Sequence, residues 1–240
     1  MNPIRPVVSN IRFLMYLVKT RQLGTLAGTV RHKIWSDTVS FGLRRDLTIP
    51  FPAPDAAIPL TMRKATQLDI DRLANLDEPG ICLDELAERR ERREAFAAGM
   101  DGHSYVAVDE HDTPCYFQML MCPEQNHLSR KLWDKAYPEV KPGQVLIEGA
   151  FVPTAFRGKR IMPRAMALLS EIARDDTTTE AITFVDTSNI ASLKGCVRSG
   201  YSPYCHRVRR WRFFHETVTF EPIPENTSIP GVTEPIKETH

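Results

Sequence analysis

Two stretches of this chain carry residue types that can do chemistry. In Val145-Leu146-Ile147-Glu148-Gly149-Ala150-Phe151-Val152 a single ionisable side chain stands in an otherwise apolar run. Such a run reads as a buried strand, and burial disfavours a charged carboxyl, so Glu148 should titrate nearer neutrality than an ordinary glutamate. That suits a proton acceptor in a site. It equally suits a structural partner for an arginine, and the residues alone leave both readings standing. Further on, Arg157-Gly158-Lys159-Arg160 leads into Ile161-Met162-Pro163, where a helix must begin because proline fits only its first turn. The backbone N–H groups of Lys159, Arg160 and Ile161 then lack intrahelical acceptors and point at an anion. Arg157, Lys159, Arg160 and Arg164 add positive charge there.

The elements that position these residues follow from the pattern. Pro153-Thr154-Ala155-Phe156 turns out of the first strand, and Ile161, Ala165, Leu168, Leu169 and Ile172 make the apolar stripe of the helix. Ala181 to Val185 is a second strand. Asn189 caps a second helix containing Ser192 and Cys196, which stops at Ser199-Gly200-Tyr201. The result is a βαβα unit whose basic turn lies at the C-terminal end of its first strand, where open sheets place ligands. Gly149 inside the strand suits a bulge or a close approach.

Residues 145–201 resemble the GCN5-related N-acetyltransferase (GNAT) superfamily, in which a strand ending in a Val-x-Pro-like turn precedes (Gln/Arg)-x-x-Gly-x-(Gly/Ala). Val152, Pro153 and Arg157 stand in register, and Asn189, Ser192 and Gly200-Tyr201 match the later Asn-x-x-(Ala/Ser)…Gly-(Phe/Tyr) signature. Arg160 and Met162 replace two small residues of that pattern, and Cys196 stands where a tyrosine is usual. The resemblance implies an acetyl-CoA (acyl-CoA) co-substrate. Its phosphates would lie on Arg157, Gly158, Lys159, Arg160, Ile161 and Met162, and its pantetheine along Phe151 and Val152 and against Asn189 and Ser192. It also implies a carbonyl-oxygen donor in the Val152 N–H, an acid on the Glu148 strand, and a proton source for the thiolate at the place of Cys196, with Tyr201, Tyr204 or water as the alternatives. The two strands of the unit splay apart in this family.

Elsewhere the chain bounds the function more than it identifies it. With 240 residues, 42% hydrophobic and 25% charged, and a net charge of +1, it is an ordinary globular composition with no global field for nucleic acid. Cys82, Cys115, Cys122, Cys196 and Cys205 show no metal-ligand spacing and fit reduced thiols in a cytoplasmic protein, so no metal is expected. Asn10 to Arg21 reads as an amphipathic helix that packs on the domain, a membrane-surface or partner contact being the alternative. A less regular stretch follows to Phe41, and Ile49-Pro50-Phe51-Pro52-Ala53-Pro54 reads as a linker. Leu60 to Ala65 is then the first strand. A charged helix over Leu83 to Ala98 reads as a solvated face, Ser104–Val108 and Cys115–Met121 as a hairpin, and Leu128 to Trp133 as a short helix within an insertion. Trp133 or Tyr137 either lines an acceptor site or anchors that loop. Tyr204 to Phe214 reads as a last strand near an edge.

The expected fold is therefore α/β, an α+β mixed sheet of GNAT-like acyltransferase type. An N-terminal helical arm and Pro-rich linker would occupy 1–57, the domain 58–215, and a loose tail 216–240. The expected activity is transfer of an acyl group from coenzyme A to a small-molecule or peptide amine. The alternatives are a catalytically inactive acyl-CoA or partner-binding module, and a longer-chain transferase near a membrane.

Overall fold

A computed structural model describes residues 30–175, 177–224, 227–229 and 231–232. The expected helix over Asn10 to Arg21 lies outside the described residues. Eight strands form one sheet: β1 (Trp35–Asp46), β2 (Thr61–Lys64), β3 (Ser104–Val108), β4 (Pro114–Met121), β5 (Gln144–Phe151), β6 (Glu180–Asp186), β7 (Ser202–Arg212) and β8 (His215–Pro222). Their order is β2-β3-β4-β5-β6-β1-β7-β8. Every neighbouring pair is antiparallel except β5 and β6.

Helices cover both faces, so the sheet buries two cores. Against one face lie α1 (Gln67–Leu73), α2 (Leu83–Ala95) and α3 (Asn126–Trp133), packed on Phe117, Met119, Leu146 and Phe184. Against the other lie α4 (Ile161–Ala173) and α5 (Ile190–Arg198), packed on Phe41, Leu43, Ile147 and Val185. Alternation along β4 and β5 sends successive residues to opposite cores. Among the described residues no helix is long and apolar enough to cross a membrane.

The structure corrects the sequence reading at both ends of the domain. Residues 35–46, expected in the arm, form an interior strand between β6 and β7. The proline-rich segment is no boundary between domains but a strap across α4 and α5. Arg164 donates to the Ala53 carbonyl, Ala57 N–H donates to the Lys159 carbonyl, and the Phe51 ring lies against Gly200. At the other end, β8 pairs with β7 along its whole length, and Ile229 is buried in the second core, so the described residues of the segment expected to be loose are tied down through both.

The charged helix is a second correction. On α2, Glu85, Arg89 and Arg92 are buried. Arg89 donates to Glu85 at 2.8 Å, Glu78 at 2.6 Å and the Asn75 carbonyl at 2.6 Å, which satisfies a guanidinium that water no longer reaches. Charge alone therefore misassigned that face.

Candidate active site at the parting of two parallel strands

The parallel pair β5 and β6 is short. It runs through Gln144↔Glu180, Val145↔Ala181 and Leu146↔Ile182 and then stops, although both strands continue. The cause lies on the other side of β5. Between Met119↔Glu148 and Phe117↔Phe151 the β5 strand carries one residue more than β4, a bulge centred on Gly149. Gly149 has φ +72°, a backbone conformation that favours glycine, and a Cβ there would have to push the Met119 Cε methyl aside. The bulge bends β5 away from β6.

Glu148 fills the resulting gap. It is only 7% exposed. Its Oε1 accepts from the Phe184 N–H at 2.5 Å and the Thr183 hydroxyl at 3.3 Å, and its Oε2 accepts from the Tyr137 hydroxyl at 3.2 Å. The carboxyl thus takes over the ladder acceptor that Phe184 loses where the strands part. Burial pushes it from 4.5 up to about 7, against the opposing pull of the Arg207 guanidinium and the donors around it.

Arg207 is the residue that sequence reasoning missed. It sits on β7, the strand expected near an edge, yet it is buried and reaches across β1. It donates to the Ala136 carbonyl at 3.1 Å and to Ser40 Oγ at 3.0 Å, while its plane lies 5.1 Å from the ring centres of both Tyr137 and Phe184. Its Nε finds no acceptor among the described residues. Nothing in the local pattern of β7 separates Arg207 from Arg209. Only the insertion of β1 beside it makes it interior. Tyr137, in turn, lines a cavity of about 230 Å³ together with Asn126, Glu139 and Phe220, on the side away from α4.

Beyond the gap, the basic turn stands at the start of α4. Gly158 has φ +79° with open space where a Cβ would be, and Arg160 caps the helix at φ 55°. Among the described residues, no backbone acceptor outside the helix pairs with the N–H groups of 158–162. They and the helix dipole make a place for an anion. Arg157 donates to the Val152 carbonyl at 3.1 Å and lies 3.8 Å from Glu88, and the Lys159 ammonium stands over the Phe156 ring. Ile161 is buried, and Phe151 lies in the first core. Met162 packs on Gly195 of α5, which has no side chain to obstruct it. Asn189 accepts from the Ser192 N–H at 3.1 Å as the cap of α5.

Two expected residues are not brought to the gap. Cys196 is fully buried in the second core with its thiol against Met166 Sδ at 3.8 Å, and Tyr201 is buried with its hydroxyl on Ser170 Oγ at 2.8 Å. Burial raises both the thiol and the phenol, so neither is poised to give up a proton. Their positions follow from α5, whose inner face packs on α4. Tyr201 also borders a groove of about 1290 Å³ under the strap, which runs from Arg45 and Gly143 past Phe51 to Arg160 and Pro163 at the start of α4. Arg92 is a further surprise: it donates to the Gly149 carbonyl at 3.2 Å and to the Ala150 carbonyl at 3.4 Å, the groups that the bulge turns out of the ladder.

No family model and no curated protein matches the sequence. Among solved structures, the chain is similar to a GCN5-related glucosamine N-acetyltransferase region of a fungal multi-domain GH3 beta-N-acetylglucosaminidase. That match has a TM-score of 0.52 at 15% identity and covers 79% of this chain and 22% of that one. A GNAT-family acetyltransferase from Colwellia psychrerythraea matches with a TM-score of 0.48 at 12% identity, over 74% of this chain and 57% of that one. A GCN5-related N-acetyltransferase from Sphaerobacter thermophilus gives 0.47 at 15% identity, over 85% and 59%. The chain spans less than two thirds of the length of each. At these identities the likeness is one of fold, and the fold is that of the GNAT acyltransferases.

Proposed function

We propose that this GNAT fold is an acyl-coenzyme A-dependent N-acyltransferase that transfers acetyl from acetyl-coenzyme A to a primary amine by direct attack in a ternary complex. One observation carries the reading: β5 and β6 part after Leu146 and Ile182, and a single carboxyl titrating near neutrality is held in the gap. The free amides at the start of α4, with Arg157, Lys159 and Arg160, fit a diphosphate, and Asn189 and Ser192 stand at the start of α5 beyond β6. The Val152 N–H is the donor for the thioester oxygen. Coenzyme A supplies the activated acyl group. Glu148 accepts the proton the amine loses as its nitrogen bonds the acyl carbon and the carbon–sulfur bond breaks, Tyr137 holds that carboxyl in place through its hydroxyl, and the departing thiolate takes its proton from water. Cys196 and Tyr201 have no part in this scheme.

A second reading, a binding module without turnover, is favoured by Arg92. Its guanidinium occupies the Gly149 and Ala150 carbonyls, so an extended ligand along β5 must displace it. Titration calorimetry with acetyl-coenzyme A, a medium-chain acyl-coenzyme A and free coenzyme A, followed by thiol release with an amine panel, separates the two. Micromolar binding with thiol release supports the transferase. Binding without release supports the module. No heat with any of the three refutes both.

A further inference from the structure

The two-residue turn between β7 and β8 is built against its own backbone. Arg212 pairs with His215, so Phe213 and Phe214 form the whole turn, with φ of 47° and 66°. A turn of this type asks for Asn-Gly, and bulky residues are strained there. Both rings also face water: Phe213 is 76% exposed and Phe214 61%. Strain and exposure together at one tip need a reason outside the fold.

The tip has neighbours of the same kind. Phe213 N–H donates to the Ile34 carbonyl and Phe214 N–H to the Lys33 carbonyl, both at 2.8 Å, which fastens the turn to the residues just before β1. There Ile34 is exposed and Trp35 is 62% exposed. Cations surround these side chains. Arg212 lies over the Trp35 ring at 3.9 Å, Lys33 over the Trp211 ring at 5.4 Å, and Arg31 is exposed. Asp37 and Glu216 neutralise Arg212 and Arg209, which leaves Arg31 and Lys33 in excess. The sequence leading into this patch, residues 1–36, holds Arg5, Arg12, Lys19, Arg21, Arg31 and Lys33 and no acidic residue.

We propose that this tip is a docking surface for an anionic lipid bilayer, with Phe213, Phe214 and Trp35 entering the interface and the surrounding cations meeting the headgroups. Aromatic side chains favour the boundary between headgroups and acyl chains, and cations beside them add attraction to negative lipid. Charge complementarity favours lipid over a second copy of the chain, which would bring like charges together. Register also sets the orientation. Ser40 is opposite Asp186 at the end of β6, so Trp35 stands roughly 17 Å past the end of β6, in the direction in which β5 and β6 part. A docked molecule therefore turns the gap holding Glu148 toward the bilayer.

The test is co-sedimentation of the full chain with vesicles of phosphatidylcholine alone and of phosphatidylcholine mixed with phosphatidylserine. Phe213→Asn combined with Phe214→Gly supplies the residues the turn prefers, so it removes the rings without endangering the hairpin. The expected result is binding to the mixed vesicles at least tenfold tighter than to the neutral ones, and a loss of at least tenfold in the double variant. Arg31→Glu with Lys33→Glu should give a similar loss through charge alone. Absence of wild-type binding to the mixed vesicles overturns the proposal. So does binding of the Phe213, Phe214 variant within twofold of wild type, which would place attachment in residues 1–29. A wild-type dimer that the variant dissociates, without vesicle binding, would instead make the tip a contact between copies.

Discussion

Replacing Glu148 with glutamine tests the gap without touching its shape. The carboxyl titrates at about 7 in the folded protein against 4.5 for an ordinary glutamate. Between those values the folded chain holds a proton that the unfolded chain has lost. The contribution of Glu148 to stability is therefore full below pH 4.5 and declines as pH rises toward and through 7. Integrated from pH 4.5 to 8, that loss is about 3 kcal/mol. The groups facing the carboxyl are Arg207, Tyr137, Thr183 and the N–H groups of Phe184 and Gly149, and only Glu148 among them changes charge in this window. Glutamine keeps an oxygen for Phe184 and does not titrate. Urea denaturation of both proteins at pH 4.5 and pH 8 should show Glu148→Gln gaining about 3 kcal/mol relative to wild type as pH rises. A difference that stays constant with pH refutes the buried, neutral-prone carboxyl. A difference that shifts in the opposite direction shows that attraction to Arg207 outweighs burial.

Further outcomes follow from the same geometry. Arg207→Met removes the cation that favours the charged carboxyl, so it should cost about 3 kcal/mol at pH 8 and distinctly less at pH 5, and carbon-detected titration should show the carboxyl moving up. Gly149→Ala meets both a positive φ and Met119, and should destabilise by about 3 kcal/mol in urea; a cost below about 1 kcal/mol would mean the bulge is soft. Lys159→Glu with Arg160→Glu should weaken coenzyme A binding at least tenfold by calorimetry while leaving urea stability within about 1 kcal/mol, since Lys159 stands over a half-buried ring and Arg160 is already strained. Phe213→Asn with Phe214→Gly should raise stability by about 1 kcal/mol in thermal melts, because it relieves two positive-φ aromatics.

The sequence makes some of these elements plain and conceals others, and the difference lies in where polar groups find their partners. β5, α4, β6 and α5 show themselves because an apolar run, a proline turn and a helical stripe are local signals. β1 is concealed. Its interior holds Gly42, whose missing Cβ makes room for Cys205 and Phe184, and the buried polar residues Ser40 and Arg45. Ser40 is satisfied by Arg207, and the two terminal nitrogens of Arg45 donate to Glu171 and the Ser199 carbonyl, all more than a hundred residues away in the chain. A polar residue in a strand signals exposure only when its partner is water. The same blindness hides Arg207 and Arg89, while Cys196 and Tyr201, put in a site by the family resemblance, are carried by packing into a core. Glu148 is the instructive case, since the two readings that its surroundings leave open, base and structural partner, describe one atom set. Its Oε1 replaces the ladder acceptor of Phe184, and Oε2, which accepts from the Tyr137 hydroxyl, is the oxygen left to exchange a proton with an amine. A staple on one oxygen and a base on the other are compatible, and Tyr137→Phe separates them: it should leave the stability conferred by Glu148 within about 1 kcal/mol, the net worth of one hydrogen bond, while lowering turnover at saturating substrate.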